Sequence, residues 1–264
     1  MKIAIIGTGN LGSAIAKGLI ENKSFTALYL SDRNTRQVDA YNGAENVTIT
    51  NDNALAVKAA EVVIFALQPK HIEGVIEDVA SLITDKHIIM SVAAGFEISV
   101  IERIIGKDKS VIRVMPNTAI SIGESMTCLA GNAKGLERME VARTIFNQLG
   151  TTLEIPEGQM QAATVICSSG IAFWMRLVRA TTQGAIQLGF EAEEADKIAL
   201  QTCLGAASLL QKSDRHIEAE IDRVTTPGGC TIEGLNEMEH NGMSSALIQG
   251  ITASFDKINQ LKKN

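Results

Sequence analysis

Apolar and polar positions along the chain fall into two regimes. Over the first 156 residues, short unbroken apolar runs alternate with longer stretches in which apolar residues recur at helical spacing. The runs are Ile3-Ala4-Ile5-Ile6, Ala27-Leu28-Tyr29-Leu30, Val47-Thr48-Ile49 and residues 62–67, 87–91 and 110–115. Runs of this kind suit strands buried on both faces of a parallel sheet. Between them, residues 13–20, 53–60, 71–83 and 98–105 read as helices. Strands alternating with helices predict a doubly wound α/β sheet, the Rossmann arrangement. Residues 127–129 and 152–155 read as edge strands around a helix at 134–148. Pro156 marks the expected boundary between domains at 1–156 and 157–264.

After Pro156 the strand signal disappears. Residues 162–188 form a long helical run, with a break expected near Ser168-Ser169-Gly170. Helices are expected at 191–210, 216–223, 232–239 and 244–257. Acids at Glu191, Glu193 and Glu194 suit the start of the second of these five. The first is apolar almost all round, which predicts burial against another subunit. The fold class is therefore α/β with an all-α C-terminal dimerisation domain.

Composition narrows the function. Hydrophobic residues at 45% and charged residues at 20% are ordinary for a globular protein of 264 residues. A formal charge of −6 without a Lys/Arg-rich run argues against a nucleic-acid partner. A strand starts directly at Lys2-Ile3, so a cytoplasmic protein without a targeting segment is expected. Residues 158–175 carry no charge, but Gln159, Gln161, Thr164, Ser168 and Ser169 favour a helix buried in protein over a membrane span. Cys128, Cys167, Cys203 and Cys230 form no C-x-x-C pair, which points to reduced thiols and to no metal site. Cys167 and Cys203 lie in apolar helical runs and are expected in the core.

The strongest motif is Gly7-Thr8-Gly9-Asn10-Leu11-Gly12, between the first apolar run and the first helix. Each glycine has a job in dinucleotide binding. Gly7 permits the tight turn, Gly9 lets a pyrophosphate approach the backbone, and Gly12 lets helix and strand pack closely. The helix start offers free N–H groups to the phosphates. Asp32, 20 positions after Gly12, ends the second strand. Further strand exits at Leu67-Gln68-Pro69, Val92-Ala93-Ala94-Gly95 and Met115-Pro116-Asn117-Thr118 belong where ligands sit in such sheets.

A second glycine stretch, Thr225-Thr226-Pro227-Gly228-Gly229-Cys230-Thr231, opens a helix near Ile232. The N–H groups of Gly229, Cys230 and Thr231, with the Thr231 hydroxyl, would suit a carboxylate. The alternative is that Thr231 only caps its helix. No Lys lies between Thr151 and Asp196, and no His between Ile88 and Arg215. Alcohol dehydrogenases usually place one of these to manage the hydroxyl proton, whereas a protonated imine accepts hydride without a general acid in that step. The pattern leans toward a C=N substrate.

Taken together, the chain resembles pyrroline-5-carboxylate reductases over essentially its whole length. The most specific stretch is Asp222-Arg223-Val224-Thr225-Thr226-Pro227-Gly228-Gly229-Cys230-Thr231-Ile232, joined by Met115-Pro116-Asn117-Thr118, Gly123-Glu124 and Ser169-Gly170. The resemblance implies reduction of Δ1-pyrroline-5-carboxylate to L-proline, the last step of proline biosynthesis. It implies that Thr231 and Ser169 are catalytic, and that Gly229, Cys230, Thr231, Asp214 and Asn117 bind substrate. The cofactor residues it implies are Thr8, Gly9, Asn10, Leu11, Gly12, Ser31, Asn53, Leu67, Gln68, Pro69, Ala93, Ala94 and Gly95, to which the fingerprint and its strand end add Gly7, Asp32 and Arg33. It also implies a homodimer through the helical domain, and further assembly to a homodecamer. The chain departs from the family pattern at Gln68-Pro69-Lys70, at Ala119-Ile120 and at Cys167-Ser168-Ser169-Gly170-Ile171-Ala172-Phe173.

Asp32 suits a ribose 2′-OH, while Ser31, Arg33 and Asn34 suit a 2′-phosphate, so NADPH is favoured with NADH as the alternative. Two rival readings keep the fold: a hydroxy-acid dehydrogenase using His216 or Lys212, and a non-catalytic NAD(P)-binding protein.

Overall fold

The computed structural model describes residues 1–261. The chain separates into two compact units. One is Met1–Ser169, joined by the end of the last helix from Lys257, and the other is Gly170–Asp256.

The first unit is built on one eight-stranded sheet of order β3-β2-β1-β4-β5-β6-β7-β8. In chain order its strands are β1 Lys2–Ile6, β2 Ala27–Ser31, β3 Val47–Thr50, β4 Val62–Phe65, β5 Ile88–Ser91, β6 Ser110–Met115, β7 Ser125–Gly131 and β8 Gly150–Glu154. The first six are mutually parallel, in the order of a dinucleotide-binding sheet. The apolar runs pair in register, with Ile3, Ile5, Val62 and Ile64 buried on one face and Ala4, Ile6, Val63 and Phe65 on the other.

Helices α1 Asn10–Glu21, α2 Asn53–Ala59, α3 Pro69–Val79 and α4 Ile98–Ile105 follow β1, β3, β4 and β5. Ile15, Ala16 and Leu19 of α1 cover the first face. Ala56 and Val57 of α2, Ile72 and Ile76 of α3, and Ile98 and Ile101 of α4 cover the second. Both faces are therefore dry, which is why these strands carry no inward/outward alternation.

Beyond β6 the structure departs from expectation. β7 runs antiparallel to β6 and lies inside the sheet, so that of the two expected edge strands β8 alone is an edge, opposite β3 at the far side. The single helix expected at 134–148 is two, α5 Ala133–Leu136 and α6 Met139–Phe146. Their split places Gly135 of α5 against the Val111 carbonyl of β6, where a Cβ would not fit, while Met139, Ala142, Ile145 and Phe146 of α6 fill the first core.

After β8, Arg113 of β6 and Glu157 form a pair with an Nη1–Oε1 distance of 3.1 Å. Arg113 is 3% exposed. The same Glu157 oxygen accepts the Ile98 N–H at 2.8 Å, so it caps α4 from a distance of 59 residues. A short helix, α7 Met160–Ala163, runs into a π-helical turn at Thr164–Ser169. This is the break expected near Ser168.

The second unit comprises α8 Gly170–Gln187, α9 Ala192–Lys212, α10 Ile217–Val224, α11 Cys230–His240 and, up to Asp256, α12 Met243–Leu261. α8 and α9 pack together, with Thr182, Ala195 and Ala199 buried. Residues 157–187 are long and apolar enough to cross a membrane by length and composition. Within one chain this run stays largely uncovered, as a helix expected to be buried against another subunit would be, whereas the core position expected of Cys167 and Cys203 is not met. Trp174 and Met175 are each more than half exposed, and Cys167 and Cys203 are only partly buried.

A Cβ on Gly12 would collide with the Gly7 carbonyl oxygen and lie 3.2 Å from Ala66 Cβ. The neighbour it meets is backbone, which cannot rotate away. Gly12→Ala should therefore cost about 1–3 kcal/mol by overpacking. Urea unfolding would show this as a lower midpoint at unchanged slope, and an unshifted midpoint would contradict the packing role.

Candidate active site

Two clefts open beside the carboxyl ends of the parallel strands, both within the first unit. The larger, of about 820 Å³, is lined by Gly7, Gly9, Ser31, Asp32, Arg33, Asn53, Leu67, Gln68 and one face of α3. The smaller, of about 330 Å³, is lined by Asn10, Leu11, Ala14, Pro116, Asn117, Thr118, Ile120, Ser121 and Ser168. The glycine turn stands between them.

That turn is built from identifiable parts. Gly7 has φ of 97°, in the region that favours glycine, and its N–H donates to the Ser31 carbonyl at 2.7 Å. Gly9 is the N-cap of α1, and no side chain satisfies the helix start. The N–H groups of Asn10 and Leu11, in the first turn, find no acceptor within the helix. A Cβ on Gly9 would meet no atom within 4 Å. Free donors, a helix N-terminus and unfilled space above Gly9 fit a pyrophosphate.

Thr8 and Asp32 are arranged differently from the expectation. The Thr8 N–H donates to Asp32 Oδ2 at 2.6 Å. The Thr8 side chain is buried, and its hydroxyl has no partner. Asp32 Oδ1 accepts the Asn34 N–H at 3.0 Å. Asp32 thus braces the glycine turn from the neighbouring strand, with both oxygens engaged. Ser31 donates to Asn53 Oδ1 at 2.7 Å. Arg33 is exposed and has no ion-pair partner among the described residues, leaving one free cation beside Asp32.

Leu67 and Gln68 reach the larger cleft, whereas Thr8, Gly12, Pro69 and Ala93, Ala94 and Gly95 line neither cleft. Pro69 is the first residue of α3, where its missing N–H costs nothing. Sequence reasoning missed Lys70, His71 and Gly74 of α3, which line the larger cleft. Their signal was available, since they lie on the face opposite buried Ile72, Ile76 and Val79.

Asn117 is tied up inside the protein. Its Nδ2 donates to the Cys167 carbonyl at 3.1 Å, its Oδ1 accepts from Ala119 N at 3.0 Å, and its own N–H donates to Ser125 Oγ at 3.1 Å. It fastens the loop after β6 to the π-helical turn, with one Nδ2 hydrogen uncommitted. In that turn Ser168 lines the smaller cleft, while Ser169 is exposed beside it.

In the second unit, Gly228 has φ of 65° and the Gly229 N–H donates to the Thr226 carbonyl at 2.9 Å. Gly229 is therefore not a free donor as expected. α11 starts at Cys230 with Gly229 as its N-cap and no capping side chain. Thr231 is thus inside the first turn and does not cap the helix. The amides of Cys230 and Thr231 have no backbone acceptor, and the exposed helix start can receive an anion.

Asp214 is exposed between α9 and α10. Beside it, Ser213 Oγ donates to Glu220 Oε1 at 2.5 Å and Arg223 to Oε2 at 2.7 Å. The Ser213 bond, and then Arg223, hold Glu220 below the usual carboxylate range. His216 Nδ1 accepts the Glu218 N–H at 3.3 Å and caps α10, a structural use that removes one nitrogen from base chemistry. Among the described residues, no group of three or more His, Cys, Asp or Glu could hold a metal ion.

The sheet order and the open glycine turn define the class, a dinucleotide-binding α/β protein. Residues 2–95 match the family described as "NADP oxidoreductase coenzyme F420-dependent", and residues 157–261 match "Pyrroline-5-carboxylate reductase dimerisation". Pyrroline-5-carboxylate reductase 1 of Dictyostelium discoideum is 42% identical over 97% of this chain, which spans 49% of that protein's length. Pyrroline-5-carboxylate reductase 2 of the same organism is 40% identical over 97% of this chain and 91% of its own. The solved structure of a pyrroline-5-carboxylate reductase from Coxiella burnetii superimposes with a TM-score of 0.92 at 28% identity, covering 98% of each chain. The chain belongs to the pyrroline-5-carboxylate reductase family.

Gly9→Ala should lower dinucleotide affinity about tenfold or more by filling the approach to the α1 amides, a loss of about 1.4 kcal/mol or more. Its effect on unfolding should be smaller than that of Gly12→Ala, because the new methyl meets no protein atom. Fluorescence titration beside urea unfolding separates the two, and undiminished affinity would remove Gly9 from the phosphate site.

Proposed function

We propose that this protein reduces the cyclic imine Δ1-pyrroline-5-carboxylate to L-proline, as the last step of proline biosynthesis. The observation that carries the reading is the uncapped first turn of α11, in which the amides of Cys230 and Thr231 and the unpartnered Thr231 hydroxyl stand ready for an anion. A nicotinamide dinucleotide supplies the hydride when bound.

The chain's own residues bind and orient. The α1 amides take the pyrophosphate, with Asp32 holding the turn in place through Thr8. Arg33, unpaired at the cleft, takes a ribose 2′-phosphate by a charge-assisted bond, so NADPH is preferred over NADH. The Thr231 turn takes the substrate carboxylate, and the Thr231 hydroxyl lies near the ring nitrogen. Ser169 and Asp214 belong to the substrate side, and Asn117 holds the smaller cleft in shape. A protonated imine needs no acid to accept hydride, consistent with His216 serving as a helix cap.

The helical part from residue 157 is the dimerisation domain of a cytoplasmic homo-oligomer. The exposed apolar side chains of α8, Trp174 and Met175 among them, are what a partner would cover. Assembly of such dimers into a homodecamer is the larger form implied by family resemblance.

Purified protein should oxidise NADPH with pyrroline-5-carboxylate and reduce NADP⁺ with proline at high pH. No turnover in either direction would sink the proposal. Thr231→Ala should lower kcat/KM by about 10–100-fold, the loss of a bond to a charged group. Its melting temperature should stay unchanged, since no bond within the fold depends on that hydroxyl. Arg33→Ala should raise KM for NADPH by about tenfold or more and leave NADH kinetics nearly intact. Equal losses with both cofactors would place Arg33 away from the 2′ position.

A further inference from the structure

Cys128 and Cys167 are 39 residues apart in sequence, yet their sulfurs lie 3.7 Å apart. Cys128 belongs to β7 and is 2% exposed. Cys167 belongs to the π-helical turn and is partly exposed, so a small reagent can reach it first. Met115, Ala130, Met160 and Ala163 enclose the pair in a small apolar cluster. Both thiols are free. The proposed reduction uses neither sulfur.

We propose that Cys128 and Cys167 are a redox site that closes to an intramolecular disulfide, fastening the π-helical turn to β7 and loosening dinucleotide binding. A disulfide requires the sulfurs to approach to about 2.05 Å. The irregular π-helical turn that carries Cys167, with its i→i+5 hydrogen bonding, is the segment that would have to shift. The movement has a direct route to the cleft. The Cys167 carbonyl accepts the Asn117 Nδ2 bond, and the next residue, Ser168, lines the smaller cleft together with Asn10 and Leu11 at the phosphate-binding helix start.

The chemistry balances with a peroxide as oxidant. The Cys167 thiolate attacks one peroxide oxygen and becomes a sulfenic acid, and the other oxygen leaves as water after taking up a proton. The Cys128 sulfur then attacks the Cys167 sulfur and expels a second water that carries the Cys128 proton. Two thiols lose two electrons, and hydrogen peroxide is reduced to two waters. The Cys128–Cys167 hydrogen bond, in which either sulfur can donate, favours the thiolate at the more exposed Cys167 and holds it below the usual thiol range, against the upward push of burial. The same bond, and burial, push Cys128 up. Cys167 is therefore the attacking thiol. Its alkylation should therefore proceed at a lower pH than that of an ordinary thiol.

The test titrates the full-length protein with hydrogen peroxide, alkylates remaining thiols after denaturation, and maps peptides by mass spectrometry. A Cys128–Cys167 linked peptide should form, disappear with dithiothreitol, and be absent from Cys167→Ser. The oxidised protein should bind NADPH about fivefold more weakly, at the low end of coupling between linked sites, and recover on reduction. Recovery of both cysteines as alkylated thiols, while exposed Cys230 is oxidised, would overturn the site. A linked peptide with unchanged NADPH affinity would overturn its coupling to the cleft. The binding readout rests on the dinucleotide reading of that cleft, whereas the linked peptide does not. Reduced protein that fails to bind NADPH would therefore count against the cofactor reading and leave the disulfide result to stand.

Discussion

The Gly7 carbonyl occupies the place where a side chain on residue 12 would stand. This close approach fixes the entry of β1 into α1, and much else depends on it. With the turn this tight, α1 can begin at Asn10 and present its first amides beside the strand ends. β1 lies between β2 and β4 in the sheet, so the turn emerges where the order reverses. Clefts open on either side of it. Asp32, reaching from the end of β2 to the Thr8 N–H, holds the turn against collapse. A residue that sequence patterns assign to a ribose hydroxyl is here first a brace. Any effect of changing it on cofactor choice will be mixed with an effect on the turn itself.

The sheet was legible in the sequence because its strands are dry on both faces. Continuous apolar runs such as residues 62–65 have no other economical reading, and α4 was bounded correctly from its periodicity alone. Beyond β6 the signal weakens. Strand direction leaves no mark on composition, so the antiparallel course of β7 was invisible, and the split between α5 and α6 depends on the close approach of Gly135 to the Val111 carbonyl, a contact across elements. The glycine and threonine positions of the site were legible as motifs. The spending of individual donors was not. That Thr8 gives its N–H to Asp32 and Gly229 gives its own to Thr226 is visible only in three-dimensional placement. Asn117 is a similar case, since its strand-exit position suggested a ligand but its amide is engaged by Cys167 and Ala119.

The helical unit shows the reverse relation. Its apolar character was plain in the sequence, but within one chain it stays largely uncovered. Side chains as large as Trp174 and Met175 on α8 and Leu200 and Leu204 on α9 remain more than half exposed. Patches of this kind on a folded domain mark interaction surfaces. The family described over residues 157–261 is one of dimerisation. The stability of this part of the molecule is then tied to protomer concentration, because a partner that binds only the folded form adds to its free energy.

Glu157 carries a consequence of another kind. One carboxylate oxygen neutralises buried Arg113 on β6 and also caps α4 at Ile98. A fragment ending at Pro156 would strand a guanidinium that is 3% exposed without its counter-ion, and breaking a buried pair in this way costs about 3–5 kcal/mol. It would at the same moment uncap a helix that walls the sheet. The dinucleotide-binding half therefore cannot be treated as a portable module, to be cut out at its last strand and joined to another chain. Its inheritance is tied to at least the first residues beyond Pro156, and recombination between relatives would have to carry Arg113 and Glu157 together.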